Sequence, residues 1–168
     1  MTAENKYSKI KRIEELIEIL KVGPGSDKED FIVGALRIQE VEKSLGLELP
    51  EEYKEFLQKI GWIFGIEYGG LNSAIKMTLQ LRENYADKFS KNLIPLHGDG
   101  YGNYHCLVCG GKDNGRVIFW QHDVYDGQEY PNIPPGKPED FWIEAPDFWT
   151  WLLERLEEKY KEKEEEKK

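Results

Sequence analysis

The sequence predicts an α+β fold: a central, mostly antiparallel β-sheet with helices packed on it and at its ends. Three observations carry that prediction. Between Asn92 and Asp123, three short runs of strand composition are joined by glycine-rich turns, the pattern of a β-meander. On either side, apolar residues recur at three- and four-residue spacing over lengths that suit helices. A chain of 168 residues with five Trp, nine Tyr and seven Phe supplies one sizeable core.

Taken in order, Ile10, Ile13, Leu16, Ile17 and Leu20 alternate with charged residues and predict an amphipathic helix over 8–21, stopped by Gly23-Pro24-Gly25. A second helix is expected from Leu36 to Leu45, with Leu36, Ile38, Val41 and Leu45 on its apolar face and Gly46 as a left-handed cap. A third follows at once. Pro50 suits its first position, Glu51 and Glu52 suit the positive end of its dipole, and Tyr53, Phe56, Leu57 and Ile60 form its buried stripe before Gly61 ends it. Trp62 to Tyr68 reads as a strand, and Ser73 as the cap of a helix reaching Arg82, with Ile75, Leu79 and Arg82 on one face.

The meander begins with Leu93-Ile94-Pro95-Leu96 and turns at Gly98-Asp99-Gly100-Tyr101-Gly102-Asn103, where glycines permit positive φ. Tyr104 to Cys109 is its second run, Asn114-Gly115 marks the next turn, and Val117-Ile118-Phe119-Trp120 is its third run. The sheet is thus expected on residues 62–68 and 92–123. A Pro- and Gly-rich loop with exposed aromatics follows Asp123, and a last helix from near Pro146 buries Phe148, Trp149, Leu152, Leu153 and Leu156. The organisation expected is an N-terminal helix and loop over 1–30, a main domain over 31–156, and a charged, frayed tail over 157–168.

Charge and pattern narrow the function. A net charge of −9 excludes sequence-independent binding to nucleic acid or anionic membrane, which requires a basic face. No apolar run reaches the length of a membrane span and the opening residues are charged, so a cytoplasmic protein is expected. Cys106 and Cys109 have zinc-knuckle spacing with His97, His105 and His122 nearby, but an odd spacing along a strand sends the two thiols to opposite faces, and no metal is expected. The Gly98–Gly102 run is no phosphate loop, because a strand and not a helix follows it. His122, Asp123 and Asp99 form no marked catalytic constellation; no enzyme activity and no cofactor are expected.

Between His97 and Asp147 nine acidic residues face three basic ones, a balance of −6, interleaved with Tyr101, Tyr104, Trp120, Tyr125, Tyr130 and Trp142. Carboxylates beside aromatic rings suit a basic protein partner, charge for encounter and rings for anchoring. Ordinary loop solvation over core aromatics is the competing account.

Ile38, Val41-Glu42, Leu45-Gly46, Leu49-Pro50, Tyr53 and Phe56-Leu57 are followed by Leu93-Ile94-Pro95, Gly98-Asp99-Gly100, Tyr104-His105-Cys106-Leu107, Gly115, Val117, Phe119-Trp120, His122-Asp123 and a closing helix with Phe148 and Leu152. Together, over about 36–156, these resemble the SMI1/KNR4 family of the SUKH superfamily. Ile60-Gly61-Trp62 replaces the Asn-Gly-Gly common in that family, and Val108-Cys109 replaces an acidic position. The resemblance implies an α+β fold and a non-catalytic immunity protein that neutralises a cognate polymorphic toxin, commonly a nuclease. A regulatory or scaffolding interaction module, as in fungal members, is the alternative. For a nuclease partner the expected contact residues are Asp99, Asp123, Asp126, Glu129, Asp140 and Glu144 for steering and Tyr101, Tyr125 and Tyr130 for anchoring.

Overall fold

The computed structural model describes residues 3–23, 32–61, 63, 70–86, 88–122 and 143–167. Four helices come first: α1 (Ala3–Leu20), α2 (Ala35–Leu45), α3 (Glu51–Lys59) and α4 (Gly70–Asn84). Strands β1 (Leu93–Gly98), β2 (Tyr104–Val108), β3 (Val117–Trp120) and β4 (Ile143–Ala145) follow, and α5 (Phe148–Glu165) closes the chain. The four strands form one antiparallel sheet in the order β1-β2-β3-β4. This is the α+β architecture expected, with the meander at its centre.

The sheet is buried on both faces. Alternation along β2 sends Leu107, and Cys109 just beyond it, into a large cluster shared with α1, α2, α3 and α5, and sends Cys106 and Val108 into a smaller one. Trp120 centres the smaller cluster, edge-on to Tyr85 and Phe89 with ring centroids 5.2 and 5.1 Å away. Its indole N–H donates to the Lys88 carbonyl at 3.3 Å. Trp120, grouped above with the loop aromatics, is therefore a core residue. The predicted strand over 62–68 lies outside the described residues except for Ile63, which is fully buried in the large cluster.

Several local expectations shift, each for a physical reason. Helix α1 starts at Ala3, five residues early, because Lys6 pairs with Glu55 of α3 at 2.5 Å and ties down a turn that has no apolar stripe. Leu36 is 77% exposed: two residues are about 200° of helical rotation, so it points away from the Ile38, Val41 and Leu45 face. Pro50 stands one position before α3, where its carbonyl accepts from the Tyr53 and Lys54 amides at 3.0 Å each. Gly46, at φ +66°, caps α2 as expected.

In α4 the helix begins at Gly70, so Ser73 lies inside it and does not cap it. The buried face is Leu71, Ala74, Thr78 and Leu81, while Leu79 is half exposed. Thr78 fits an apolar face because its hydroxyl donates to the Ala74 carbonyl at 2.7 Å, which satisfies the one polar group that would oppose burial. Arg82 clasps two elements, donating to the carbonyls of Leu45 (2.7 Å) and Lys91 (2.5 Å). The turn at Asn114-Gly115 forms, in a connection longer than two residues: the Gly115 amide donates to the Val108 carbonyl, and Asn114 Oδ1 accepts from the Gly110 amide. Strand β4 escapes sequence reading because three residues carry no usable period.

Residues 157–165, expected to fray, continue α5 as helix and run alongside α1 in the same direction. Arg12 donates to Glu157 at 2.8 Å, its guanidinium lies 6.0 Å from the Tyr160 ring, and Lys163 donates to the Ile19 carbonyl at 3.2 Å. Asp147 caps α5 through the Thr150 amide at 2.8 Å. Ile13 and Leu16 of α1 are fully buried in the large cluster, so the first helix shares the main core.

Leu16→Ala is accordingly expected to cost about 2–5 kcal/mol, as for a core leucine, read as a lower urea midpoint with an unchanged slope. A loss below about 1 kcal/mol would make α1 a peripheral attachment.

Candidate functional site

The β1–β2 turn carries Asp99 and Tyr101, two of the three described residues that sequence analysis marked for binding; the third, Glu144, lies in β4. Pairing of Gly98 with Tyr104 and of Tyr104 with Trp120 places the β1–β2 turn beside the exit from β3. His122 follows β3 at this end, whereas β4 enters further along the sheet, with Ile143 opposite Ile118.

The turn is built by Asp99. Its Oδ1 accepts from the amides of Tyr101 (2.7 Å) and Asn103 (3.1 Å), its Oδ2 accepts from Asn103 Nδ2 (2.7 Å), and its own amide donates to the Asn103 carbonyl (3.1 Å). Gly100 and Gly102 take φ of +83° and +97°, which side chains rarely adopt. Burial raises the Asp99 carboxyl, but the Asn103 side chain and the backbone amides outweigh it and hold the group below the usual aspartate range. Tyr101 projects from this scaffold, 84% exposed.

On the large-cluster face beneath, the buried imidazole of His105 meets the Glu144 carboxylate through Nδ1, linking β2 to β4 across β3. The ring of His105 is enclosed by Phe119 at 5.1 Å, His97 at 5.8 Å and Trp151 at 6.0 Å. A register shift between Pro95 and His97 brings His97 opposite His105. Glu144, expected as a steering residue, therefore has a structural partner within the chain.

The same holds for every described carboxylate between His97 and Asp147. Asp99 closes its turn, Asp113 is buried against Arg116 at 2.8 Å, Glu144 holds His105, and Asp147 caps α5 with Lys9 at 3.5 Å. Asp113 also belongs to the β2–β3 turn, the far end of the sheet. Asp123, Tyr125, Asp126, Glu129, Tyr130 and Asp140 lie outside the described residues.

Sequence reasoning missed Asn103 and His122 as partners. Asn103 Oδ1 accepts from the His122 amide at 3.3 Å and meets His122 Nδ1 at 3.1 Å. Asp-Gly-X-Gly-Asn, with Asx residues four apart around two glycines, was a readable turn signal for Asn103. Nothing local announces a bond across 19 residues to His122 or across 39 from His105 to Glu144.

Cys106 and Cys109 occupy the two different clusters, on opposite faces of the sheet, as alternation predicts. Burial pushes the Cys109 thiol up to about 12 and Cys106 well above the ordinary thiol range. Among the described residues no group of three or more His, Cys, Asp or Glu side chains is arranged to hold a metal ion. No described helix is long and apolar enough to cross a membrane.

The model of the SMI1 / KNR4 family (SUKH-1) matches residues 34–154. The chain belongs to that family. The SPbeta prophage-derived uncharacterized protein YokK of Bacillus subtilis (strain 168) is 24% identical over 155 residues, covering 73% of this chain and 74% of that protein. The SMI1/KNR4 match opens at Gly34, just before α2, and closes inside α5. It takes in the whole sheet end and leaves α1 outside.

Both thiols are expected to resist alkylation in the folded chain at pH 7 and to react once it is unfolded, with no equivalent of zinc by elemental analysis. Rapid labelling of either cysteine under native conditions would overturn the burial argument. Because the Asp99 carboxyl titrates lower folded than unfolded, its contribution is complete above the usual aspartate range and is lost as pH falls through the depressed value. The Tyr101 amide chemical shift should therefore hold steady to below that range and then move; a midpoint at the ordinary aspartate value would contradict the hydrogen bonding described.

Proposed function

We propose that this chain is a non-catalytic immunity protein of the bacterial kind within the SMI1/KNR4 family: in the cytoplasm it binds a cognate polymorphic toxin, a nuclease by preference, and occludes its active site. Family membership is the observation that carries this reading. In this reading the docking surface includes the β1–β2 turn that presents Tyr101, with Asp123, Tyr125, Asp126, Glu129, Tyr130 and Asp140 of the sequence that follows β3 as the other contact residues.

The mechanism is competition for a basic cleft. A nuclease must attract phosphates, so a surface dense in carboxylates is drawn to the same cleft and fills it, with no bond made or broken and no cofactor needed. Asp99 and Glu144 add to the field although their oxygens are used within the chain. The tyrosines supply the affinity, because charges at the rim act mainly on encounter whereas buried rings act on residence. Neither nucleic acid nor a membrane is a partner in this reading.

Co-expression with the C-terminal domain of the cognate polymorphic toxin, sought among the neighbouring genes, should restore growth and give a complex stable on a sizing column. Lys at Asp123, Asp126, Glu129 and Asp140 together should slow association and flatten its dependence on salt. Tyr→Ala at 101, 125 or 130 should speed dissociation, by about 30-fold where a ring contributes ~2 kcal/mol. Association as fast as wild type by the Lys variant at low ionic strength would remove the electrostatic mechanism, and no growth rescue by wild type would remove the toxin.

A further inference from the structure

Tyr101 presents a contradiction that its neighbours resolve. It is a large ring, 84% exposed, between two glycines, the residues that lose most conformational freedom when fixed. Capturing a tyrosine from a loose turn of that composition would spend much of the binding energy on ordering it. Yet the turn is tied at every point where it could fray: the Tyr101 amide is held by Asp99, and Asn103 is held from both sides.

The orientation of the Asn103 amide follows from its partners. An ionised carboxylate only accepts, so the group facing Asp99 Oδ2 is the donating Nδ2, and the group facing the His122 amide is the accepting Oδ1. His122 Nδ1 must then carry the hydrogen that it shares with Asn103 Oδ1. The chain Asp99–Asn103–His122 thus spans from the end of β1 to the residue that leads away from β3. Gly102 is part of the fit: a Cβ there would stand 3.1 Å from His122 Nδ1, on a backbone already at positive φ.

We infer that Asn103 is a positioning residue for partner capture: held between Asp99 and His122, it presets the turn so that Tyr101 meets a basic protein partner in one conformation. Asn103 is half-buried and need not touch the partner. This rests on the immunity reading for the identity of the partner, and on the turn geometry alone for the ordering of Tyr101. It also changes the part of Asp99, whose oxygens scaffold the anchor.

The experiment has two arms, both on the full chain. In the first, hydrogen exchange of the free protein compares wild type with Asn103→Ala; loss of the three side-chain bonds to Asp99 and His122 should raise exchange at the Tyr101 amide by about tenfold or more, with the amides of β2 unchanged. In the second, binding to a catalytically inactive C-terminal domain of a candidate polymorphic toxin is measured for N103A, Y101A and the double variant. Asn103→Ala should weaken binding about tenfold in the wild-type background and under twofold once Tyr101 is already alanine. Exchange at Tyr101 within twofold of wild type overturns the inference. So does an N103A penalty that is the same with and without the ring. A wild-type chain that fails to bind the domain sinks the immunity reading instead, and the exchange arm then decides alone whether Asn103 orders the turn.

Discussion

Strand β2 is buried on both faces, and the rest of the molecule is arranged to satisfy that constraint. Alternation divides its side chains between two clusters, so a helical layer on one face would leave Cys106 and Val108 in water. The large cluster draws in α1, α2, α3, α5 and the start of α4 through Leu71 and Ala74. The smaller one is closed by the end of α4 with Tyr85, Phe89 and Trp120. With both faces covered, the free surface of the sheet is reduced to its ends and edges.

The residues that announce themselves in sequence are those whose role is set by near neighbours. The meander, the positive-φ glycines at 100, 102 and 115, the Gly46 cap and the stripes of α1 and α3 all follow from spacing within a few residues. Thr78 was hidden because its polarity is cancelled locally by a back-bond that a hydropathy pattern does not register. Asn103 with His122, and His105 with Glu144, were hidden because each bond joins strands far apart in the chain. Of the predicted contact residues, Tyr101 is exposed, while Asp99 and Glu144 hold structure.

Acidic composition is a poor guide to an acidic surface. Counting residues between His97 and Asp147 treats Asp113 and Asp123 alike, yet Asp113 is buried with Arg116 at the far end of the sheet. Asp147 is spent on a helix cap, and Glu144 on an imidazole. Such carboxylates still add to the long-range field, but they cannot also offer both oxygens to a partner without giving up a bond at home.

The edges of the family match and the edges of the cooperative unit do not coincide. Similarity among relatives measures what descent has kept, whereas cooperativity measures which parts must be present together for any of them to stand. Helix α1 lies outside the first boundary and inside the second, with Ile13 and Leu16 sealed against the face that α5 presents. Any relative without a counterpart of α1 must shield that face by other means, through a second subunit, a different leading segment or a more polar closing helix. Divergence at the amino terminus of this family would then be a change of shielding strategy, free to proceed while the sheet itself stays the same.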